Sequence, residues 1–293
     1  MLDDLCGKIV VLYTSVAEAL LDVPEELRDS MDLGVHAQEV ARVLAAGEHD
    51  ARVLCWDDAV WPTLTALEGL QPEVIVNLAE CPQRTCLKAP HVAAVLELLR
   101  LPYTGNGPLA LALATDKARA KRLLRAQGIA TPDWAVCAAP PEQCPMPFPL
   151  IVKPVYEDGS LGITEDSVVE NLPQLRERVA CVIAELQQPA LVEGFLPGRE
   201  FQIAVLGNGT PDDPHRLLPP AEVLYQPGWR LVSYAAKWEP DHPAYAGTPT
   251  TCPADISPKL AERLEELGRP CAEAFGLTGY ARMDVRLDAR GEP

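Results

Sequence analysis

Apolar residues in the first hundred positions come in two rhythms. Short unbroken runs at Lys8 to Tyr13, Ala51 to Cys55 and Val74 to Asn77 have the length and composition of buried strands. Between and after them, Val35 to Ala46 carries Val35, Val40, Val43 and Leu44 at helical spacing. His91 to Leu99 repeats the pattern with Val92, Val95, Leu96 and Leu99. Strands that alternate with helices predict a parallel sheet with crossover helices, hence a Rossmann-like unit over residues 1–105. No G-x-G-x-x-G follows the first strand, which disfavours dinucleotide binding there.

Pro102-Tyr103-Thr104-Gly105-Asn106-Gly107-Pro108 is dense in turn formers and marks entry into a second unit, 106–189. There Thr115 or Asp116 caps a helix that runs to Gln127 and is stopped by Gly128. Strands are expected at Trp134 to Cys137 and Leu150 to Pro154, with the proline-rich stretch 140–149 left irregular between them. Leu172, Leu175, Val179, Val182 and Leu186 form one helix stripe entered through Asn171. The third unit, 190–293, reads as strand, turn, strand: Ala190 to Glu193, a turn at Leu196-Pro197-Gly198-Arg199, then Glu200 to Leu206. Gly207 to Pro214 is a turn. Ser257 and Pro258 open a helix that Gly276 closes, with a kink expected at Pro270. Gly279 to Leu287 alternates like a strand, and Asp288-Ala289-Arg290-Gly291 reads as a hairpin turn that asks for a partner strand.

Composition narrows the partners. At 293 residues, two or three units of roughly 100 residues each are expected. The 25 basic and 42 acidic residues leave a net charge of −17, a field that repels nucleic acid and anionic membrane surfaces. A polyphosphate ligand would therefore need a local group of lysines and backbone amides. The nine cysteines contain no C-x-x-C pair and the five histidines no H-E-x-x-H, which argues against a zinc site and for reduced thiols. The acidic start, Met1-Leu2-Asp3-Asp4, is unlike a signal peptide, and no run approaches the ~20 apolar residues of a membrane span. A cytoplasmic location follows as the expectation.

Two lysines carry the candidate chemistry. Lys117 sits in the first turn of its helix, where a cation opposes the helix dipole. Lys153 ends an apolar strand and is followed by Glu157-Asp158-Gly159-Ser160-Leu161-Gly162, a turn whose amides can close over phosphate oxygens. These belong to an ordered series: Asn77-Leu78-Ala79-Glu80, Pro102-Tyr103-Thr104-Gly105, Asp116-Lys117 with Lys121, Ile151-Val152-Lys153-Pro154, Val192-Glu193-Gly194-Phe195-Leu196-Pro197-Gly198-Arg199-Glu200-Phe201, and Ala281-Arg282-Met283-Asp284.

In order and approximate spacing, the series over residues 70–293 resembles the D-alanine-D-alanine ligase-like proteins of the ATP-grasp superfamily. The resemblance implies an α/β fold: a Rossmann-like domain (1–105), a central lid subdomain (106–189) and a C-terminal ATP-grasp subdomain (190–293). It implies ATP with Mg2+, or Mn2+ in its place. Lys117 and Lys153 would contact the phosphates, the segment from Glu193 to Leu196 the adenine, and Glu200 the ribose hydroxyls. Lys237 would close over the γ-phosphate with Ser160 of the Gly-rich turn. Arg282 would stabilise the oxyanion and Asp284 bind the metal; a plain ion pair is the other reading of those two residues. The implied reaction joins an amino acid or other carboxylate to an amine through an acyl phosphate, and the resemblance suggests a homodimer.

Two departures qualify the expectation. The place where D-alanine-D-alanine ligases grip the first amino acid reads Tyr13-Thr14-Ser15-Val16-Ala17-Glu18-Ala19-Leu20, without their glycine pair, so a substrate other than D-alanine is expected, with Glu18 as a vestige at most. The family's further metal ligands, a glutamate and an asparagine, are expected on the strand after Pro293. The chain as given is accordingly expected to bind ATP weakly and turn over little. A non-catalytic ATP-binding relative is the alternative.

Overall fold

In the computed structural model, residues 7–14, 33–56, 60–80 and 86–293 are described. Contacts divide the chain into Met1–Ala112 and Leu113–Pro293. The boundary expected at 105/106 lies close to this division, and the one at 189/190 falls inside the second unit.

In the first unit, β1 (Lys8–Thr14) lies between β2 (Asp50–Trp56) and β3 (Val74–Leu78), all parallel, with Lys8 opposite Asp50 and Ile9 opposite Val74. Its run of β-branched residues suits a strand covered on both faces. Val10 and Leu12 pack with Trp56, Leu67, Ile75, Val92 and Leu96, while Val11 meets Ala37 and Ala41. The helical partners among them come from α1 (Leu33–Ala46), α2 (Val60–Leu70) and α3 (Ala89–Leu98), and Trp56 and Ile75 from the neighbouring strands. α2 was not anticipated; Pro62 stands in its first turn, where a missing N–H costs nothing. Nor was α4 (Pro108–Thr115), a Leu/Ala alternation without a helical stripe, which carries the division at Ala112.

The second unit contains two antiparallel sheets. The first runs β4 (Trp134–Cys137), β7 (Ala190–Gly194), β5 (Leu150–Pro154), β6 (Val168–Val169). Its strands β4 and β5 have the expected bounds, and the stretch between them is irregular. Leu150, Val152, Ala190 and Val192 turn one face to Leu175, Val179 and Val182 of α6 (Leu172–Leu186), whose N-cap Asn171 accepts from the Gln174 amide. The other face receives α5 (Lys117–Ala126) through Ala118, Val155 and Leu191. Asp116 caps α5 by accepting from the Arg119 amide.

The second sheet runs β11 (Thr250–Thr251), β10 (Ala221–Val223), β8 (Glu200–Leu206), β12 (Tyr280–Arg286), with β9 (Arg216–Leu217) against β8. Phe201, Ile203 and Val285 face Leu264 of α9 (Pro258–Phe275), which runs through Pro270 and ends at Gly276 in the left-handed conformation. Two short helices, α7 (Tyr234–Trp238) and α8 (Pro243–Gly247), lie between β10 and β11. Asp288 accepts from the Arg290 and Glu292 amides, closing the turn after β12.

Candidate active site

Strand alternation decides which side chains meet. Val192 and Val152 point into the α6 core, so Glu193 and Lys153 point to the opposite face, where α5 packs. Lys117 and Lys121 are one helical turn apart on α5 and share a side of it. The buried Glu193 carboxylate joins them: Oε1 accepts from Lys153 Nζ, and Oε2 lies 2.9 Å from Lys121 Nζ. Lys121 Nζ also donates to Thr131 Oγ1 at 2.7 Å and lies 5.4 Å from the Trp134 ring centre.

Burial works against the Glu193 charge, but the ammonium groups of Lys153 and Lys121 outweigh it and bring its pKa down to about 2. Both carboxylate oxygens are occupied by ammonium donors, so the group is ionised. Lys117 donates to the Glu157 carbonyl. Burial first, then the charge of Lys153, lowers its pKa to about 8, with Asp158, Glu157 and Glu193 pulling the other way. Sequence reasoning placed Lys121 within a motif and assigned it no role; the amphipathic spacing with Lys117 was the available signal.

The second group forms on β8 and β12. Arg286 pairs with Glu200, Asp284 with Gln202, and Arg282 with Ala204. Because Phe201, Ile203 and Val285 point to α9, Glu200, Gln202, Arg282, Asp284 and Arg286 share the face away from it. Arg282 Nε donates to Asp284 Oδ1 at 2.9 Å, and both side chains are about half exposed at 49% and 50%. The Tyr225 hydroxyl donates to Glu200 Oε2 at 2.5 Å, and Arg286 Nη1 lies 3.5 Å from the same oxygen. Neither Tyr225 nor Arg286 stood out in the sequence; only strand register brings them to Glu200.

The Gly-rich turn joins the two groups. Gly159, Ser160 and Gly162 have φ of 56°, 65° and 70°, the left-handed region in which Ser160 is the strained member. Ser160 Oγ donates to the Val232 carbonyl at 3.0 Å, and Trp238 Nε1 to the Gly159 carbonyl at 2.8 Å. These bonds fix α7, and with it Lys237, to the turn. Burial, then the charge of Arg282, lowers the Lys237 pKa, opposed by Asp284, Glu200 and Asp158. Asp158 thus acts on both Lys117 and Lys237. Leu196 is half-buried in the turn between β7 and β8. Glu18 lies outside the described residues.

The lysines and arginine suit the phosphates of a nucleotide. The metal is another matter: among the described residues no three His, Cys, Asp or Glu side chains are grouped to hold one, and Asp284 is paired with Arg282. These residues do not by themselves fit Mg2+. Among the described residues no helix is long and apolar enough to cross a membrane.

Comparison with known proteins agrees with the motif series. The family described as D-ala D-ala ligase C-terminus matches residues 123–293. An uncharacterized protein, y4sG, of Sinorhizobium fredii is 34% identical over 269 residues, 88% of this chain and 75% of its own length. A D-alanine-D-alanine ligase of Bordetella petrii is 36% identical over 202 residues, covering 68% of this chain and 58% of the ligase. The crystal structure of a D-alanine-D-alanine ligase from Bacillus anthracis superposes with a TM-score of 0.70 at 20% identity, over 98% of this chain and 84% of that one. The same organism's ligase complexed with ATP gives 0.68 at 18%, over 97% and 82%. At those identities the structural likeness shows the fold, and the sequence match supplies the kinship. A mixed fold of this architecture, matched by the family over more than half its length, makes the chain a member of the D-alanine-D-alanine ligase-like family of ATP-grasp proteins.

Proposed function

We propose that this protein is an ATP-dependent carboxylate-amine ligase that forms an amide through an acyl phosphate. One observation carries the reading: in a protein of net charge −17, Lys117 and Lys121 of α5 gather with Lys153 of β5 beside one sheet, Lys237 and Arg282 lie by the other, and Asp158 influences both groups. A local cationic cleft within an acidic protein is what a polyphosphate requires.

In this reading Lys117 and Lys153 bind phosphate oxygens, and backbone groups from Glu193 to Leu196 receive the adenine. Glu200 accepts from the ribose hydroxyls, a task for an ionised carboxylate. A substrate carboxylate oxygen attacks the γ-phosphorus and ADP leaves. An amine then attacks the acyl carbon, phosphate departs with the C–O electron pair, and the nitrogen loses a proton. Lys237 and the Ser160 turn hold the transferring phosphoryl group, and Arg282 offsets the oxyanion of the tetrahedral intermediate. The departure at residues 13–20 favours an amino acid or other carboxylate different from D-alanine.

The test is Mg-ATP-dependent phosphate release with pooled L- and D-amino acids, beside calorimetric titration of ATP. Release that is lost in Arg282→Ala supports the ligase. The pairing of Asp284 with Arg282 favours a second reading, nucleotide binding without turnover. Binding of ATP with no release from any pooled carboxylate supports that one, and failure to bind ATP sinks both.

A further inference from the structure

Glu200 occupies the middle strand of β10, β8 and β12, and its neighbours on both sides supply groups to one of its oxygens. On one side Val223 pairs with Glu200, and Tyr225, two residues further, brings its hydroxyl to Oε2 at 2.5 Å. On the other side Arg286 pairs with Glu200 and stands 3.5 Å from the same Oε2. Oε1 accepts no hydrogen bond from the described residues.

Arg286 is held from several directions. Its Cζ lies 4.9 Å from the Phe195 ring centre and 5.2 Å from that of Tyr225. Nη1 donates to the Arg230 carbonyl at 3.0 Å and Nη2 to the Gly198 carbonyl at 3.2 Å, in the turn between β7 and β8. Its Nε is buried without an acceptor. A guanidinium clamped at that cost beside one carboxylate does more than fill space. Burial, followed by the charge of Glu200, raises the Tyr225 pKa well above its usual value, so the phenol stays protonated and donates.

We infer that Tyr225 and Arg286 are positioning residues that occupy Glu200 Oε2 and thereby present Oε1 to the sugar hydroxyls of a nucleotide, setting the site's preference for ribose. The inference rests on the nucleotide-binding reading given above. A carboxylate free to rotate would lose its geometric claim on the diol; one anchored at a single oxygen keeps the other aimed.

The experiment is calorimetric titration of the whole chain with ATP and with 2′,3′-dideoxy-ATP, each with Mg2+. A hydroxyl bonded to a charged acceptor is worth about tenfold or more, so the unaltered protein binds ATP tighter by at least that factor. In Tyr225→Phe, and independently in Arg286→Lys, the ratio falls to about threefold or less while dideoxy-ATP affinity stays within about threefold. Purely structural roles would weaken both nucleotides alike and leave the ratio intact; that result in both variants overturns the inference. Equal binding of the two nucleotides by the unaltered protein overturns it while leaving the nucleotide site standing. Binding of neither removes the nucleotide site and this inference together.

Discussion

Lys121 Nζ and Glu193 Oε2 lie 2.9 Å apart with each side chain only 9% exposed, and the same carboxylate is shared with Lys153. Two ammonium groups on one carboxylate leave a net positive charge within this cluster. That surplus is available to a phosphate, whereas a one-to-one pair would be neutral.

Replacing Glu193 by Leu strands Lys121 beside Thr131 and Trp134 without its counter-charge. Loss of one partner from a buried ion pair costs about 3–5 kcal/mol. Urea denaturation should show it, and a change below about 1 kcal/mol would mean the lysines relax to solvent. The pH dependence has a definite sign: the Glu193 pKa falls from 4.5 to about 2 on folding. Its stabilisation is therefore complete above pH 4.5 and is lost as pH falls from there toward 2, a portion of acid unfolding that Glu193→Gln should lack.

Lys117, with its pKa lowered from 10.5 to about 8, behaves in the opposite range. Between those values the unfolded chain holds the proton that the folded chain has released, so this group's contribution to stability rises with pH. Phosphate binding needs the charged form. ATP affinity should thus fall as pH rises through 8, and binding near pH 8 should be accompanied by proton uptake, measurable by calorimetry in buffers of different ionisation enthalpy. A pH-independent affinity from 7 to 9 would exclude Lys117 from the phosphate contacts.

Gly198 tolerates no side chain. A Cβ there would meet the Leu287 carbonyl, which is backbone and itself accepts from the Gly198 amide at 3.1 Å. Gly198→Ala should destabilise the fold by about 1–3 kcal/mol, as overpacking does, and disturb the turn from Phe195 to Arg199. Thermal unfolding checks this; an unchanged melting temperature would contradict the close approach.

Trp238→Phe removes the donor to the Gly159 carbonyl while keeping an aromatic ring. The loss is about 1 kcal/mol of local stability. Amide exchange should accelerate in 157–163 and 233–238 together, because Ser160 and Tyr234 also bridge these segments. Faster exchange in one segment alone would show that they are not latched.

Much of this architecture was legible because local rules agreed with the fold. Strands at Trp134–Cys137 and Leu150–Pro154 and the caps at Asp116, Asn171 and Ser257 follow from apolar runs and side-chain capping, both short-range effects. Val60–Leu70 and Pro108–Thr115 escaped notice, since Pro62 reads as a breaker and Leu/Ala alternation carries no helical period. Lys117 and Lys153 stood out by their places at a helix start and a strand end, whereas Glu193, Glu200, Arg282 and Asp284 were nameable through motif order alone.

By itself the sequence determined the element types, the acidic field and the membership of the charged set, because these depend on neighbours a few residues apart or on simple counts. Tertiary structure alone decided which charges touch. Whether Lys121 shares Glu193 with Lys153, and whether Tyr225 and Arg286 converge on one oxygen of Glu200, depend on antiparallel register and helix packing across distant segments. A register shift of one residue would turn Arg286 toward the α9 core and expose Val285 and Leu287, so burial of that face is what holds Arg286 beside Glu200.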